Sequence, residues 1–332
     1  EMPPYNAQTK EVVDRTLVVL TGMLRESAFV LDKSGQQILW GCVKASVEAS
    51  VALLEHYLDD APMLFRLLTL HGQVFSVLAP HVPLDMANTM VQALIGTLSN
   101  SNKLETFLQE GGFGSAVAQR LLDLLKALIS RNKAPFLEDV FNFCIEKIYP
   151  SVLEGLAAPE VEQSFYEVWC CILMNHYPFL ALTPETYRTG LGCFLRAFQG
   201  QDLDIFRIVI AALLDTNNKR HMFAQPIFWS EGYAPFLSTL FHVMIQRSHE
   251  GLHEEILKLI FDIIQGAGFD PFFDQFIPSF LSDTTFLSIP QEQREALRNS
   301  LGRHTDPPSL CKSIENLLND LSFMSGTLRQ AQ

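Results

Sequence analysis

The chain has 332 residues, of which 48% are hydrophobic and only 18% charged, and 25 are phenylalanine. This composition excludes a disordered chain, and the length exceeds the ~250–300 residues at which a single core usually stops growing, a limit that a repeat array escapes. A formal net charge of −13 argues against nucleic acid as a partner, because phosphates are repelled by such a surface, and favours basic partner surfaces.

From the N-terminus, Glu1-Met2-Pro3-Pro4-Tyr5-Asn6 lacks the basic region and apolar run of a signal peptide. With no initiating methionine, the chain is expected to be a fragment of a longer one. Apolar periodicity then predicts helices over 9–30, 36–57, 61–79, 84–99, 112–130, 136–149, 160–177, 184–199, 202–217, 232–247, 251–266, 269–281, 290–300 and 307–322. Val117, Leu121, Leu124, Leu125 and Leu128 form one stripe, and Leu252, Ile256, Leu259, Ile260, Ile263 and Ile264 another. Asp60, Asp202 and Ser248 are expected N-caps, and Gly111-Gly112 an interruption. Ser99–Gly114, Asn217–Trp229 and Ser282–Pro290 are expected to be longer insertions. The uncharged run Leu67–Leu84 holds His71, Gly72, Pro80 and Pro83, which suits two helix pieces and a corner rather than a membrane span.

One phrase occurs twice, Ala134-Pro135-Phe136-Leu137 and Ala234-Pro235-Phe236-Leu237. Related openings stand at Val82-Pro83-Leu84, Thr183-Pro184-Glu185 and Pro271-Phe272-Phe273. Proline is tolerated in a first helical turn, where its missing N–H would be unpaired anyway. A helix start recurring every ~50 residues points to an array somewhat longer in period than HEAT repeats. The expected fold is an all-α, right-handed α-solenoid of HEAT-like antiparallel helix pairs, a single segment over 1–332 with about six pairs. First helices would begin near 36, 84, 136, 184 and 232, and second helices near 61, 112, 160, 202 and 251. Residues 9–30 would be a second helix whose partner is absent. The helix at 307–322 would cap the array, its outer face carrying Lys312, Glu315, Asn316, Asn319 and Asp320.

The chemistry-bearing patterns are few. The six cysteines include no C-x-x-C pair and read as reduced, buried thiols rather than disulfides or a zinc site. His249-Glu250-Gly251-Leu252-His253 matches H-E-x-x-H, but Gly251 at a helix junction argues against two histidines converging on one helical face. Gly111-Gly112-Phe113-Gly114 lacks the Lys-Ser/Thr of a phosphate loop.

Four stretches carry a family likeness: Glu105-Thr106-Phe107-Leu108-Gln109-Glu110-Gly111, Pro135-Phe136-Leu137 with Cys144-Ile145-Glu146-Lys147-Ile148-Tyr149-Pro150, Arg247 through Ile256, and Asp306-Pro307-Pro308-Ser309-Leu310 through Leu321. In their order and spacing the chain resembles the C-terminal part of a nuclear export receptor of the importin-β superfamily. The resemblance implies a transport receptor with neither enzyme activity nor cofactor. Such a receptor binds cargo together with GTP-loaded Ran, passes the pore on Phe-Gly nucleoporins, and shuttles between nucleus and cytoplasm. It also implies actin, generally with profilin, as the cargo, and a main Ran site in repeats N-terminal to this segment. A scaffold that assembles a complex without Ran is the alternative.

In the implied superhelix second helices line the concave face, so their polar stripes are candidate cargo contacts. These are Asp123 and Lys126, Asp204 and Arg207, and Glu254, Glu255, Lys258 and Asp262. The i, i+3 pairs have a second reading as mutual surface ion pairs. Lys219 and Arg220 in Asn217–His221 form a basic cluster expected on a corner, either meeting an acidic partner or simply solvated. Grooves between neighbouring first helices would seat Phe-Gly segments, with Phe141, Phe194 and Phe236 as candidate borders.

Overall fold

The computed structural model describes residues 7–109, 111–131, 134–287 and 289–330, with the side chains of 325–330 excepted; the readings of Glu1–Asn6 and Glu110 lie outside them. The described residues are helical and include no strand. They comprise α1 (Ala7–Ser27), α2 (Lys33–His56), α3 (Ala61–Leu78), α4 (Leu84–Ser99), α5 (Lys103–Gln109), α6 (Phe113–Ile129), α7 (Leu137–Phe143), α8 (Tyr149–Leu153) and α9 (Pro159–Leu180). There follow α10 (Pro184–Gln199), α11 (Leu203–Arg220), α12 (Pro226–Glu231), α13 (Tyr233–Gln246), α14 (His253–Ala267), α15 (Phe269–Pro271), α16 (Ile277–Leu281), α17 (Gln291–Ser300) and α18 (Pro307–Gln330). The chain divides into two compact units between Asn175 and His176.

In the first unit α3 packs against α1, α2 and α6, while α2 packs against α4 and α4 against α7. One row of helices is thus α1, α3, α6, and the other α2, α4, α7. Both α2 and α3 are long and apolar enough to cross a bilayer by length and composition. In α3 that apolarity is used inside the protein: Leu64, Leu67, Leu68, Leu70 and Val74 are buried. Aromatic rings join α7 and α8 to α9, Phe141 on Trp169 at 5.2 Å and Tyr149 on Phe165 at 5.8 Å.

In the second unit α10 packs on α11 and α13, α11 on α14, α13 on α14 and α18, and α14 on α18. Phenylalanines fill this interior. Phe241 of α13 meets Phe276 and Phe280, at 5.3 and 5.1 Å between ring centroids, each such pair adding to the burial of its area. This is the packing of an all-α solenoid-type repeat. In the first unit the helices of the row α2, α4, α7 begin at Lys33, Leu84 and Leu137, and in the second α10 and α13 begin at Pro184 and Tyr233, within each unit an interval of about 50 residues, longer than the ~34 of TPR or the ~40–47 of HEAT repeats.

Several helix starts follow from their caps. The Asp60 carboxylate accepts from Met63 N–H, Thr183 from Thr186 N–H, and Asp202 from the N–H groups of Asp204 and Ile205. Gly112, at φ 75°, opens α6. Ser248 is not the N-cap of α14: a 3₁₀ turn at Glu250–Leu252 comes first, and Leu252 stands at the cap without a side-chain bond. The twin phrases differ too. Pro135 lies in the turn before α7, whereas Pro235 sits inside the first turn of α13. The three expected insertions are partly helical, holding α5, then the end of α11 with a 3₁₀ turn at Met222–Ala224 and α12, then a 3₁₀ turn at Thr284–Phe286. The last helix runs on to Gln330, beyond the expected 322.

Three prolines sit inside helical stretches, and each is accommodated by a break in the α pattern. Pro150 follows a π turn at Cys144–Ile148, and Pro278 a π turn at Phe272–Phe276. Pro178 lies two residues beyond His176, whose φ −127°, ψ 30° kinks α9. A proline ring clashes with the carbonyl four residues back and donates no hydrogen bond, so an uninterrupted α-helix is disfavoured at each place.

Candidate partner-binding surface

On α6, α11 and α14 the polar stripe lies away from a buried apolar face. In α6 the buried side is Val117, Leu121, Leu124, Leu125 and Leu128, which leaves Arg120, Asp123 and Lys126 toward the rim. Asp123 and Lys126 do not pair with each other as the i, i+3 spacing suggested. Asp123 meets Arg120 at 3.4 Å, and the Lys126 ammonium donates to Glu167 of α9. Burial pushes the Asp123 carboxyl up from the usual carboxylate range, against the pull of Lys126 and Arg120. Near the start of α6, the Ser115 hydroxyl donates to Glu160 of α9 and holds that carboxyl low.

On α11, Asp204 and Arg207 do pair with each other, at 3.2 Å, and both are exposed. Lys219 and Arg220 lie on the last turn of α11, not on a loop, because the helix continues to Arg220 and closes at His221 in the left-handed region, φ 51°. Basic residues at a helix C-terminus complement its dipole. Lys219 also pairs with Asp215 at 2.7 Å, and Arg220 is exposed.

On α14 the opposite faces separate cleanly. Ile256, Leu259, Ile260, Ile263 and Ile264 are buried, while Glu254, Glu255 and Lys258 are exposed and Asp262 is half-buried. Burial raises the Asp262 carboxyl, opposed by Lys258. Asp262 lies toward α18, where its charge raises the Cys311 thiol after burial has done so.

The H-E-x-x-H residues do not form a metal centre. His249 precedes the 3₁₀ turn, buried with its ring 4.2 Å from that of Phe206, and its Nδ1 lies 2.9 Å from the Ser248 hydroxyl. His253 begins α14 and faces Glu315 of α18 at 3.7 Å. No group of three metal-ligating side chains converges among the described residues. Cys144, Cys170, Cys171 and Cys193 are buried free thiols, but Cys42 is exposed.

Clefts lie beside α2 and α13. One, of about 980 Å³, runs between α2 and α4 over Val51, Ala52, Met86 and Ala93, with Glu48, Glu55 and Asp85 on its rim. The other, of about 510 Å³, lies between α13 and the α15–α16 stretch. Phe141, Phe194 and Phe236 border neither; all three are core residues, as helical spacing of large apolar side chains usually means. Sequence reasoning missed the aromatic residues that do line the second cleft, Trp229, Tyr233, Phe276 and Phe280. The cluster Trp229–Tyr233 was the available signal.

The polar stripes of α6, α11 and α14 and the clefts beside α2–α4 and α13 are the candidate partner surfaces of this all-α repeat protein. The family described as "Exportin-6, C-terminal TPR repeats" matches residues 182–326. Exportin-6-A of Xenopus laevis is 24% identical over 95% of this chain and 29% of its own length, and Exportin-6 of Homo sapiens is 24% identical over the same shares. Exportin-6 of Dictyostelium discoideum is 21% identical over 94% of this chain and 29% of its own. The chain is similar to the C-terminal region of exportin-6 proteins, and it spans about 29% of the length of the curated relatives it matches.

Proposed function

We propose that the chain supplies C-terminal repeats of a nuclear export receptor, which binds protein cargo together with GTP-loaded Ran and shuttles between nucleus and cytoplasm. The observation that carries this reading is the likeness to exportin-6 proteins along 95% of the chain. The cargo in this reading is actin with profilin. Its contacts are the second-row stripes, Asp123 and Lys126, Asp204 and Arg207, and Glu254, Glu255, Lys258 and Asp262, with Lys219 and Arg220 at the end of α11.

The α2–α4 cleft is the proposed seat for Phe-Gly nucleoporin segments. Its floor of Val51, Ala52, Met86 and Ala93 matches a phenylalanine ring, whose full burial is worth roughly 1.5–3 kcal/mol. Transport then rests on binding coupled to curvature. Each repeat contacts only its neighbours, so small shifts at many interfaces add up. Cargo and Ran that favour the same curvature raise each other's affinity reciprocally.

The test is capture of profilin–actin by the full-length receptor with and without GTP-locked Ran. Capture that depends on Ran is the expected result. Equal capture in both conditions removes the coupling, and no capture in either removes actin as cargo and favours a scaffold.

A further inference from the structure

The α13–α16 cleft differs in chemistry from the α2–α4 cleft. Its walls are Trp229, Tyr233, Phe276 and Phe280, and Asp283 is the charged residue of its lining; no lysine or arginine lines it among the described residues. Trp229 is 38% exposed, whereas Trp40 and Trp169 are 8% and 1%. Its ring lies 4.5 Å from that of Tyr233, tilted by 32°.

Two polar groups in this lining are held but unused. The Tyr233 hydroxyl is buried with no hydrogen-bond partner among the described residues, on a side chain only 4% exposed. Burial pushes its phenol up, so it stays protonated at neutral pH. An orphan buried hydroxyl is uncommon because leaving it unpaired costs about 1–3 kcal/mol. Asp283 accepts from the Thr285 N–H at 2.8 Å, the Thr285 hydroxyl at 2.7 Å and the Thr284 hydroxyl at 3.4 Å, all on Oδ1. Those bonds hold the carboxyl below its usual range, with a smaller contribution from His242, and Oδ2 is left without a partner among the described residues. The His242 Nδ1 is itself engaged 2.7 Å from the Ser238 carbonyl.

Aromatic faces carry negative charge and attract a cation placed over them. A guanidinium is planar, weakly hydrated and rich in N–H donors, so it stacks on rings and pairs with a carboxylate better than an ammonium does. The volume of about 510 Å³ leaves room for flanking backbone beside Ser238 and Ser279. The chain's net charge of −13 draws a basic segment in. We propose that the α13–α16 cleft docks a protein segment through an arginine side chain, which lies against the aromatic walls and pairs its guanidinium with Asp283. This goes beyond the export reading and holds whether or not Ran or actin is bound.

The test uses the whole 332-residue chain and a capped Gly-Gly-Arg-Gly-Gly peptide, followed by the indole N–H resonance of Trp229, assigned with Trp229→Phe. A saturable shift is expected, weakened about tenfold when citrulline replaces arginine, and similarly in Asp283→Asn. Tyr233→Phe, which keeps the ring, is expected to weaken it by a few-fold. The citrulline comparison leaves the protein untouched, so it stands even if Asp283→Asn disturbs the turn. The proposal is overturned by no saturable shift up to about 10 mM, by an equal response to citrulline, or by a Phe-Gly peptide moving the resonance as strongly. Loss of profilin–actin capture with arginine binding intact would fault only the export reading.

Discussion

The imidazole Nε2 of His71 on α3 lies 2.8 Å from the Ser50 hydroxyl on α2, with both side chains inside the contact between the two helices. Ser50 also donates to the Val47 carbonyl at 2.7 Å, so the imidazole N–H faces the oxygen and Nδ1 stays unprotonated. Nδ1 has no partner among the described residues, and burial lowers the His71 pKa to about 4. The folded value is thus below the unfolded 6.5. The unfolded chain binds more protons between those values, so stability is full above about pH 6.5 and declines as pH falls toward 4. The total loss is about 3 kcal/mol. Urea midpoints at pH 7 and pH 4.5 check this. The difference between them is expected to shrink in His71→Leu, and an unchanged difference would mean that acid acts elsewhere.

Gly266 marks a contact with no room for a side chain. A Cβ there would stand 2.6 Å from the Phe223 Cβ and 2.9 Å from its backbone carbon, where the 3₁₀ turn at Met222–Ala224 presses on α14. Gly266→Ala is expected to destabilise by about 1–3 kcal/mol, because backbone rather than a side-chain tip must move. Gly192 of α10 has open space around it, so Gly192→Ala is expected to stabilise by about 0.5–1 kcal/mol. Denaturation midpoints of the two variants should therefore move in opposite directions.

Lys126 and Glu167 join α6 to α9 with both side chains about a third exposed. Solvent screens such a pair, so a double-mutant cycle with Lys126→Met and Glu167→Gln is expected to give a coupling below about 1 kcal/mol. The coupling should fall further in 1 M salt. A salt-independent value of several kcal/mol would mark the pair as a major fastening of the two helices.

Glu254 and Glu255 occupy the first turn of α14, exposed and without an internal ion pair among the described residues. Under the proposed export reading, reversing both to lysine is expected to reduce profilin–actin capture by the full-length receptor several-fold. Stability should fall by only about 0.3–1 kcal/mol per residue, through the helix dipole. Circular dichroism separates the two effects. Undiminished capture by a folded variant would remove this stripe from the cargo surface.

The long helices were legible because their apolar stripes are long. Residues 61–78 and 84–99 carry enough turns to fix both period and ends. The seven-residue α5 was not, although Leu104, Phe107 and Leu108 are buried at i, i+3, i+4; about two turns do not separate themselves from an insertion. The stripes of α6, α11 and α14 were readable as faces, but their pairings were only half readable. Asp204–Arg207 is local and visible in spacing, whereas Lys126 finds Glu167 41 positions away, through packing that one helix does not encode. The same limit explains the aromatic cleft, since Tyr233 and Phe276 become neighbours only when α13 meets the following stretch.

The prolines carry a consequence for editing this protein. Each π turn, before Tyr149-Pro150 and before Ile277-Pro278, holds one residue more than an α turn would, and one residue is about 100° of helical phase. Val152 and Phe280 are buried beyond those turns in a phase that already includes the extra residue. Deleting a single amino acid from Cys144–Ile148 or Phe272–Phe276 would therefore act as a rotation, turning α8 or α16 by roughly a quarter of a circle against the neighbours it now fits.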